Sequence, residues 1–157
     1  MLLRTVTFVA LVLAALALVP AGAHLFALPN KIGLPEAEYF LVQGIYRGWA
    51  LFGVVLFGAL AADVALAILL RGRGAAFALA LFAAFAELAS LAIFFAWTFP
   101  ANRATENWTR VPENWEALRR QWEFSHAAAA VVTFLSFCAL VGVALAEQGR
   151  ERRLASS

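Results

Sequence analysis

Residues 98–130, TFPANRATENWTRVPENWEALRRQWEFSHAAAA, form the one long polar stretch of this chain. Pro112 suits the first turn of a helix, where a missing N–H costs nothing. Four side chains then share one helical face at i, i+4, i+7 and i+11: Trp115, Arg119, Trp122 and His126. Packing alone does not readily explain two indoles, a guanidinium and an imidazole that enter an apolar segment together.

The composition is that of a small integral membrane protein. Of the 157 residues, 64% are hydrophobic and 14% are charged, which is far from the average of soluble proteins. The net charge of +2 is small and the basic residues form no dense patch, so we expect no nucleic-acid partner. Cys138 is the only cysteine, which excludes an internal disulfide and a cysteine-rich metal site.

Four apolar segments are each long enough to cross a bilayer, at about residues 5–28, 39–70, 75–99 and 122–146. The first resembles a signal peptide, but its apolar run is longer than usual, so we expect no cleavage. The prolines and the glycine of residues 29–36 predict a turn between the first two segments. We therefore expect one all-α domain over 1–157. It is a four-helix transmembrane bundle with up-down-up-down topology and a long Trp/Arg-rich outer loop at about 100–121.

The arginines and the lysine predict the orientation of this bundle. One side carries basic residues almost without acids: Arg4, Arg71, Arg73, Arg150, Arg152 and Arg153. Basic residues on the other side alternate with glutamates. Cytoplasmic loops carry an excess of positive charge, so we expect a plasma or inner membrane protein with both termini in the cytoplasm.

Helical rise sorts the polar side chains into two layers. At about 1.5 Å per residue, His24 and His126 fall at one level near the outer interface. Asp63 and Glu87 fall deeper, near mid-membrane. Ionisable groups inside membranes are functional candidates by default.

The outer layer supplies the candidate site. His126 is the candidate general base, with His24 as its partner and Arg119 as a further catalytic candidate. The candidate substrate-binding residues are Asn102, Trp108, Trp115, Trp122, Arg47, Gln43 and Tyr46. The competing interpretation is structural, because tryptophans form interfacial belts and arginines snorkel to the membrane surface.

Several segments resemble the anthrone-oxygenase-like family of small four-span membrane proteins. They are Ala23–Phe26 with Leu28–Asn30, Gln43–Trp49, Pro100–Asn102 and Trp115–His126. The resemblance implies an oxygenase that converts anthrones to anthraquinones with molecular oxygen and without an obvious cofactor. It also implies that Asn102, Trp108, Trp122 and His126 belong to the site.

The chemistry of the residues fits this expectation. A histidine near neutral pKa can remove a proton from a carbon flanked by aromatic rings and a carbonyl. Arg119 or Arg47 could stabilise the resulting oxyanion, and the carbanion could react with oxygen. The bilayer would concentrate both oxygen and a lipophilic small-molecule substrate.

Two alternatives stay open, and so does a homo-oligomer. His24 and His126 could be ligands of haem or iron in a membrane redox protein. The chain could also be a non-enzymatic binding or assembly subunit, although four unbroken spans give little sign of a transport path.

Overall fold

The computed structural model describes residues 1–156, and 85% of the structure is helical, with no strand in that range. In chain order the helices are α1 (Leu2–Lys31), α2 (Glu36–Gln43), α3 (Phe52–Leu69), α4 (Ala75–Ile93), α5 (Phe99–Ala104) and α6 (Trp115–Ala155). Short 3-10 turns cover Gly44–Tyr46 and Trp49–Leu51. A π-helical turn, Phe94–Thr98, joins α4 to α5.

Four stretches are long and apolar enough to cross a membrane. They are Leu2–Lys31, Trp49–Leu69, Ala75–Ala104 and Trp115–Ala155. The prediction of an all-helical chain with four candidate spans is therefore confirmed, and the chain has the features of an integral membrane protein.

Small residues let the helices pack closely around α6. Helices α4 and α1 both pack on α6, and α3 packs on α1 and α4. A Cβ added at Gly142 of α6 would lie 3.1 Å from Leu79 Cδ1 of α4, so this crossing needs a glycine or a shift of Leu79. Association through small residues is typical of helices in lipid.

The second predicted segment is interrupted, so the prediction of one helix over 39–70 is wrong. Helix α2 ends at Gln43 and α3 begins only at Phe52. Gly48, between them, has a φ of 86°, which is left-handed and is adopted at low cost only by glycine. The second candidate span therefore begins at Trp49, and α2 is a separate helix before it.

Helix α1 is longer than predicted, because it continues through Pro29 to Lys31. A proline lacks an N–H donor and its ring crowds the carbonyl four residues earlier, yet the helix continues and closes with a 2.9 Å bond from Ile32 N–H to the Leu28 carbonyl. The predicted turn at 29–36 shrinks to the few residues before α2. Lys31 is thereby on the same helix as His24.

The outer loop is shorter than the predicted 100–121. Pro100 cannot donate a backbone hydrogen bond, and the π-helical turn next to it lets the chain continue helically to Ala104. Helix α6 begins at Trp115, so Pro112 precedes the helix; its carbonyl accepts from Trp115 N–H at 3.1 Å. The loop proper is therefore residues 105–114, and α6 also extends beyond the predicted end near 146.

Candidate functional site

The two histidines of the chain stack on each other. His24 of α1 and His126 of α6 have ring centroids 3.9 Å apart and ring planes 23° apart. His24 is only 5% exposed and His126 is half-buried. Because the two rings are in contact, the prediction that the histidines lie at one level of the bundle is confirmed.

Aromatic rings surround His24, and one of them also contacts His126. Trp122, one turn before His126, lies edge-on to both histidines at 4.9 and 4.3 Å. Tyr46 and Trp49 lie 4.3 and 5.5 Å from the His24 ring. Both of these come from the interrupted segment between α2 and α3, so that interruption delivers two rings to the pair.

Next to the pair lies a buried ion pair between the first and last helices. Lys31 Nζ lies 3.0 Å from Glu123 Oε1, and these residues are 3% and 1% exposed. The ammonium lies over two of the enclosing rings, 4.6 Å from the centroid of Tyr46 and 4.9 Å from that of Trp122. Tyr46 and Trp122 thus contact both Lys31 and His24.

Tyr39 of α2 holds the carboxylate of this ion pair. Its hydroxyl donates to Glu123 Oε1 at 3.0 Å, and Gln43 Nε2 donates to the Tyr39 oxygen. Tyr39 is fully buried. Burial, and then the charge of Glu123, raise the pKa of the Tyr39 phenol well above its ordinary value.

Of the two candidate arginines, one packs on Tyr39 and the other is exposed: the Arg119 guanidinium lies 5.4 Å from the centroid of the Tyr39 ring. Arg119 donates from Nη1 to the Leu34 carbonyl at 2.7 Å and stacks 4.6 Å from the centroid of the Trp115 ring. It therefore fixes the link after α1 to α6. Arg47 is exposed on the interrupted segment. Lys31, rather than either arginine, is the cation over the rings that contact His24.

Asn102 ties two tryptophans together. Its Oδ1 accepts from Trp122 Nε1 at 2.8 Å and from Trp108 Nε1 at 3.3 Å. The two indoles lie edge to face with centroids 5.7 Å apart. Asn102 thus orients the ring that covers both histidines.

The outer loop reaches this arrangement through a left-handed turn. Glu106, Asn107 and Trp108 have φ values of 49°, 55° and 65°. Such values are costly for residues with a Cβ. The turn is fixed by Thr105, whose Oγ1 accepts from Trp108 N–H at 3.1 Å and donates to the Ala101 carbonyl at 2.8 Å. The left-handed turn places the Trp108 indole against Tyr39, with 5.1 Å between the ring centroids.

Sequence reasoning missed three members of the site: Lys31, Glu123 and Tyr39. A signal existed for Lys31, because it is the only lysine and follows His24 by seven residues, which is one helical face. We placed it in a turn because of Pro29. Glu123 lies on α6 beside Trp122, and its burial depends on the partner that α1 supplies.

The deeper layer also exists. Asp63 of α3 and Glu87 of α4 are fully buried, and their carboxyl oxygens have no hydrogen-bond partner among residues 1–156. One turn from Glu87, Ser90 bonds Thr133 of α6 through their hydroxyls at 3.1 Å.

A metal or haem would have to use the histidine pair. Over the described range, no three or more His, Cys, Asp or Glu side chains come together as a metal site. His24 and His126 present their faces to each other, whereas axial haem ligands point ring nitrogens at the iron from opposite sides of the porphyrin. Ligation would therefore need both rings to turn apart. Comparison of the chain with protein-family models, curated proteins and solved structures found no match.

Proposed function

We propose that this chain is a membrane-embedded, oxygenase-like enzyme that acts on a lipophilic aromatic substrate of the anthrone type. The observation that supports it best is the stacked histidine pair, with aromatic rings around His24 and Trp122 against both histidines. The resemblance of several segments to the anthrone-oxygenase-like family points the same way. In this proposal the four spans cross the bilayer alternately, both termini face the cytoplasm, and the site lies at the outer leaflet.

The pair offers a base in a water-poor place. His24 Nδ1 is buried and has no hydrogen-bond partner within residues 1–156, so it is free to bond a bound molecule. An ordinary imidazole is largely neutral near pH 7 and can accept a proton. Two cationic rings in face contact would repel each other, so the pair takes up one proton rather than two.

The surrounding rings suit a flat substrate. Trp122, Tyr46 and Trp49 contact the histidines from several directions, and stacked or edge-to-face aromatic contacts favour planar ligands. Opening of the interrupted segment that carries Tyr46 and Trp49 would admit such a molecule from the bilayer, where both it and oxygen are concentrated.

The reaction balances without a further reductant. His126 removes one proton from the substrate CH2 group, and the carbanion forms a C–O bond with molecular oxygen. The O–O bond then breaks, one oxygen stays as the new carbonyl, and the other leaves as water with both hydrogens of the CH2 group. The substrate is oxidised and oxygen is reduced.

Oxygen uptake by the protein in proteoliposomes, with an anthrone as substrate, tests the proposal. We expect His126→Ala to lower turnover by about a hundredfold or more, as loss of a general base does. Arg120→Met, an exposed change on the same helix, should keep the wild-type rate. Equal rates for wild type and His126→Ala would refute the role of the base.

The redox alternative uses the same two histidines. An absorption spectrum and metal analysis of the purified protein test it, because a haem bound by both would give a Soret band. A pure binding or assembly subunit is the third candidate. Copurification of a stoichiometric partner, together with no oxygen uptake on any anthrone, would favour it.

A further inference from the structure

We infer that Lys31 binds the anionic oxygen of the substrate, and that the substrate is an aromatic compound with an ionisable oxygen, a phenol or an enol. This inference deepens the proposed function and rests on it for the reaction, but anion binding at Lys31 can be measured alone. The cation expected from the sequence for this task was Arg119 or Arg47. Arg119 donates to the Leu34 carbonyl and packs on Tyr39, and Arg47 is exposed.

Stability does not account for the Lys31–Glu123 pair. Both charges are almost fully buried, and desolvation of such a pair offsets most of its attraction. Two apolar side chains of similar volume would serve the packing as well or better. The only lysine of the chain is therefore held at this position for what its ammonium binds.

Lys31 and the histidine pair share two aromatic neighbours. Lys31 Nζ lies 3.0 Å from Glu123 Oε1 as an ion pair, and the three N–H donors of its ammonium have no hydrogen-bond partner within residues 1–156. Tyr46 and Trp122 each have a ring centroid within 5 Å of both the ammonium and the His24 ring. In an anthrone, the acidic carbon and the carbonyl oxygen lie on opposite sides of one ring. In this proposal the carbon meets the histidines and the oxygen meets Lys31, which share two ring neighbours.

Two neighbouring acceptors extend this match to hydroxyl groups. Glu123 Oε2 and Gln43 Oε1 are buried without hydrogen-bond partners in the described part of the chain. Tyr39 fixes both side chains, since it donates to Glu123 Oε1 and accepts from Gln43. Free acceptors beside a cation fit a hydroxylated aromatic, whose O–H groups donate to them while its anionic oxygen bonds Lys31.

The test uses 2-hydroxyanthraquinone, a flat phenol whose anion absorbs at longer wavelength than the neutral form. The full chain in nanodiscs of zwitterionic lipid is titrated with the probe across pH, in the dark and without oxygen. We expect the wild type to bind the phenolate at least about tenfold more tightly than the phenol, the scale of a charge-assisted hydrogen bond. Arg120→Met should keep this preference.

The informative variant is the double change Lys31→Met with Glu123→Gln, which removes both charges together and leaves an acceptor for Tyr39. We expect its phenolate preference to fall to about one. Lys31→Arg keeps the charge and should retain most of the preference, which guards against a folding artefact in the double variant. A folded double variant that keeps the phenolate preference would overturn the inference. A Lys31→Arg variant that loses the preference would overturn it as well.

The two proposals can fail separately. Phenolate preference that depends on Lys31, without oxygen uptake on any anthrone, would support the anion site and refute the oxygenase. Oxygen uptake that depends on His126, with no phenolate preference in the wild type, would refute the anion site alone.

Discussion

Asn102→Ala should destabilise the bundle rather than merely weaken substrate binding. The amide oxygen of Asn102 is the shared acceptor for two indole N–H groups, from Trp122 at 2.8 Å and Trp108 at 3.3 Å. Both tryptophans are buried, so neither N–H can turn to water when the acceptor is removed. The variant therefore leaves two buried donors unpaired.

The expected loss follows from these two bonds. A hydrogen bond of this kind contributes about 1 kcal/mol net, and polar contacts between membrane helices average about 0.6 kcal/mol with a maximum near 1.7 kcal/mol. The short bond to Trp122 falls at the upper part of that range and the longer bond to Trp108 at the lower part. The sum is about 2 kcal/mol, or roughly a thirtyfold fall in the ratio of folded to unfolded protein.

Unfolding in mixed micelles of increasing SDS fraction, followed by helical circular dichroism, measures this loss. Asn30→Ala, an exposed change near the end of α1, is the matched control and should stay within about 0.5 kcal/mol of wild type. If Asn102→Ala unfolds at the same SDS fraction as Asn30→Ala and only the KM for an anthrone rises, the reasoning from the two indole bonds is refuted. Asn102 would then be a substrate-binding residue, as the sequence suggested.

The other predictions concern the ion pair, the interruption and Tyr39. Lys31→Met alone should cost about 3–5 kcal/mol in the same unfolding assay, and adding Glu123→Gln should restore part of it, because a lone buried charge costs more than none. A single variant as stable as the double would contradict this. Gly48→Ala should lower the free energy of unfolding by about 1–2 kcal/mol, since the φ of Gly48 is positive. A gain in stability would refute the need for a left-handed backbone at this position. Burial and the charge of Glu123 raise the pKa of Tyr39. The contribution of the Tyr39 phenol to the free energy of unfolding is therefore intact below pH about 10. It is lost as pH rises above that, by about 1.4 kcal/mol per pH unit. Tyr39→Phe should lack that alkaline decline, and an identical profile for both proteins would refute the assignment.

The sequence was sufficient for what depends on hydropathy and spacing. Four apolar runs predict four spans, and helical rise brings His24 and His126 to one level although they lie at opposite ends of the chain. The face that joins Arg119, Trp122 and His126 also exists, because α6 is a regular helix through all three positions.

Other features depend on tertiary partners that a local pattern does not reveal. Pro29 indicated a turn, but one missing donor near the end of α1 is tolerated, and that tolerance puts Lys31 into the core. Gly48 gave a weak local signal for the interruption, whereas the long apolar run around it favoured one helix. The left-handed turn at 106–108 carries no glycine at all. It is held by the Thr105 side chain, by a 2.7 Å bond from Asn107 N–H to the Asn102 carbonyl and by the burial of Trp108.

The Lys31–Glu123 pair has a consequence for biogenesis. Synthesis proceeds from the N-terminus, so α1 enters the bilayer well before the ribosome has made the glutamate that neutralises its lysine. Until then Lys31, at the C-terminal end of α1, lacks the carboxylate that faces it in the finished fold. We expect this end of α1 to be buried only when α6 packs on it, so the last helix made completes the core around the first.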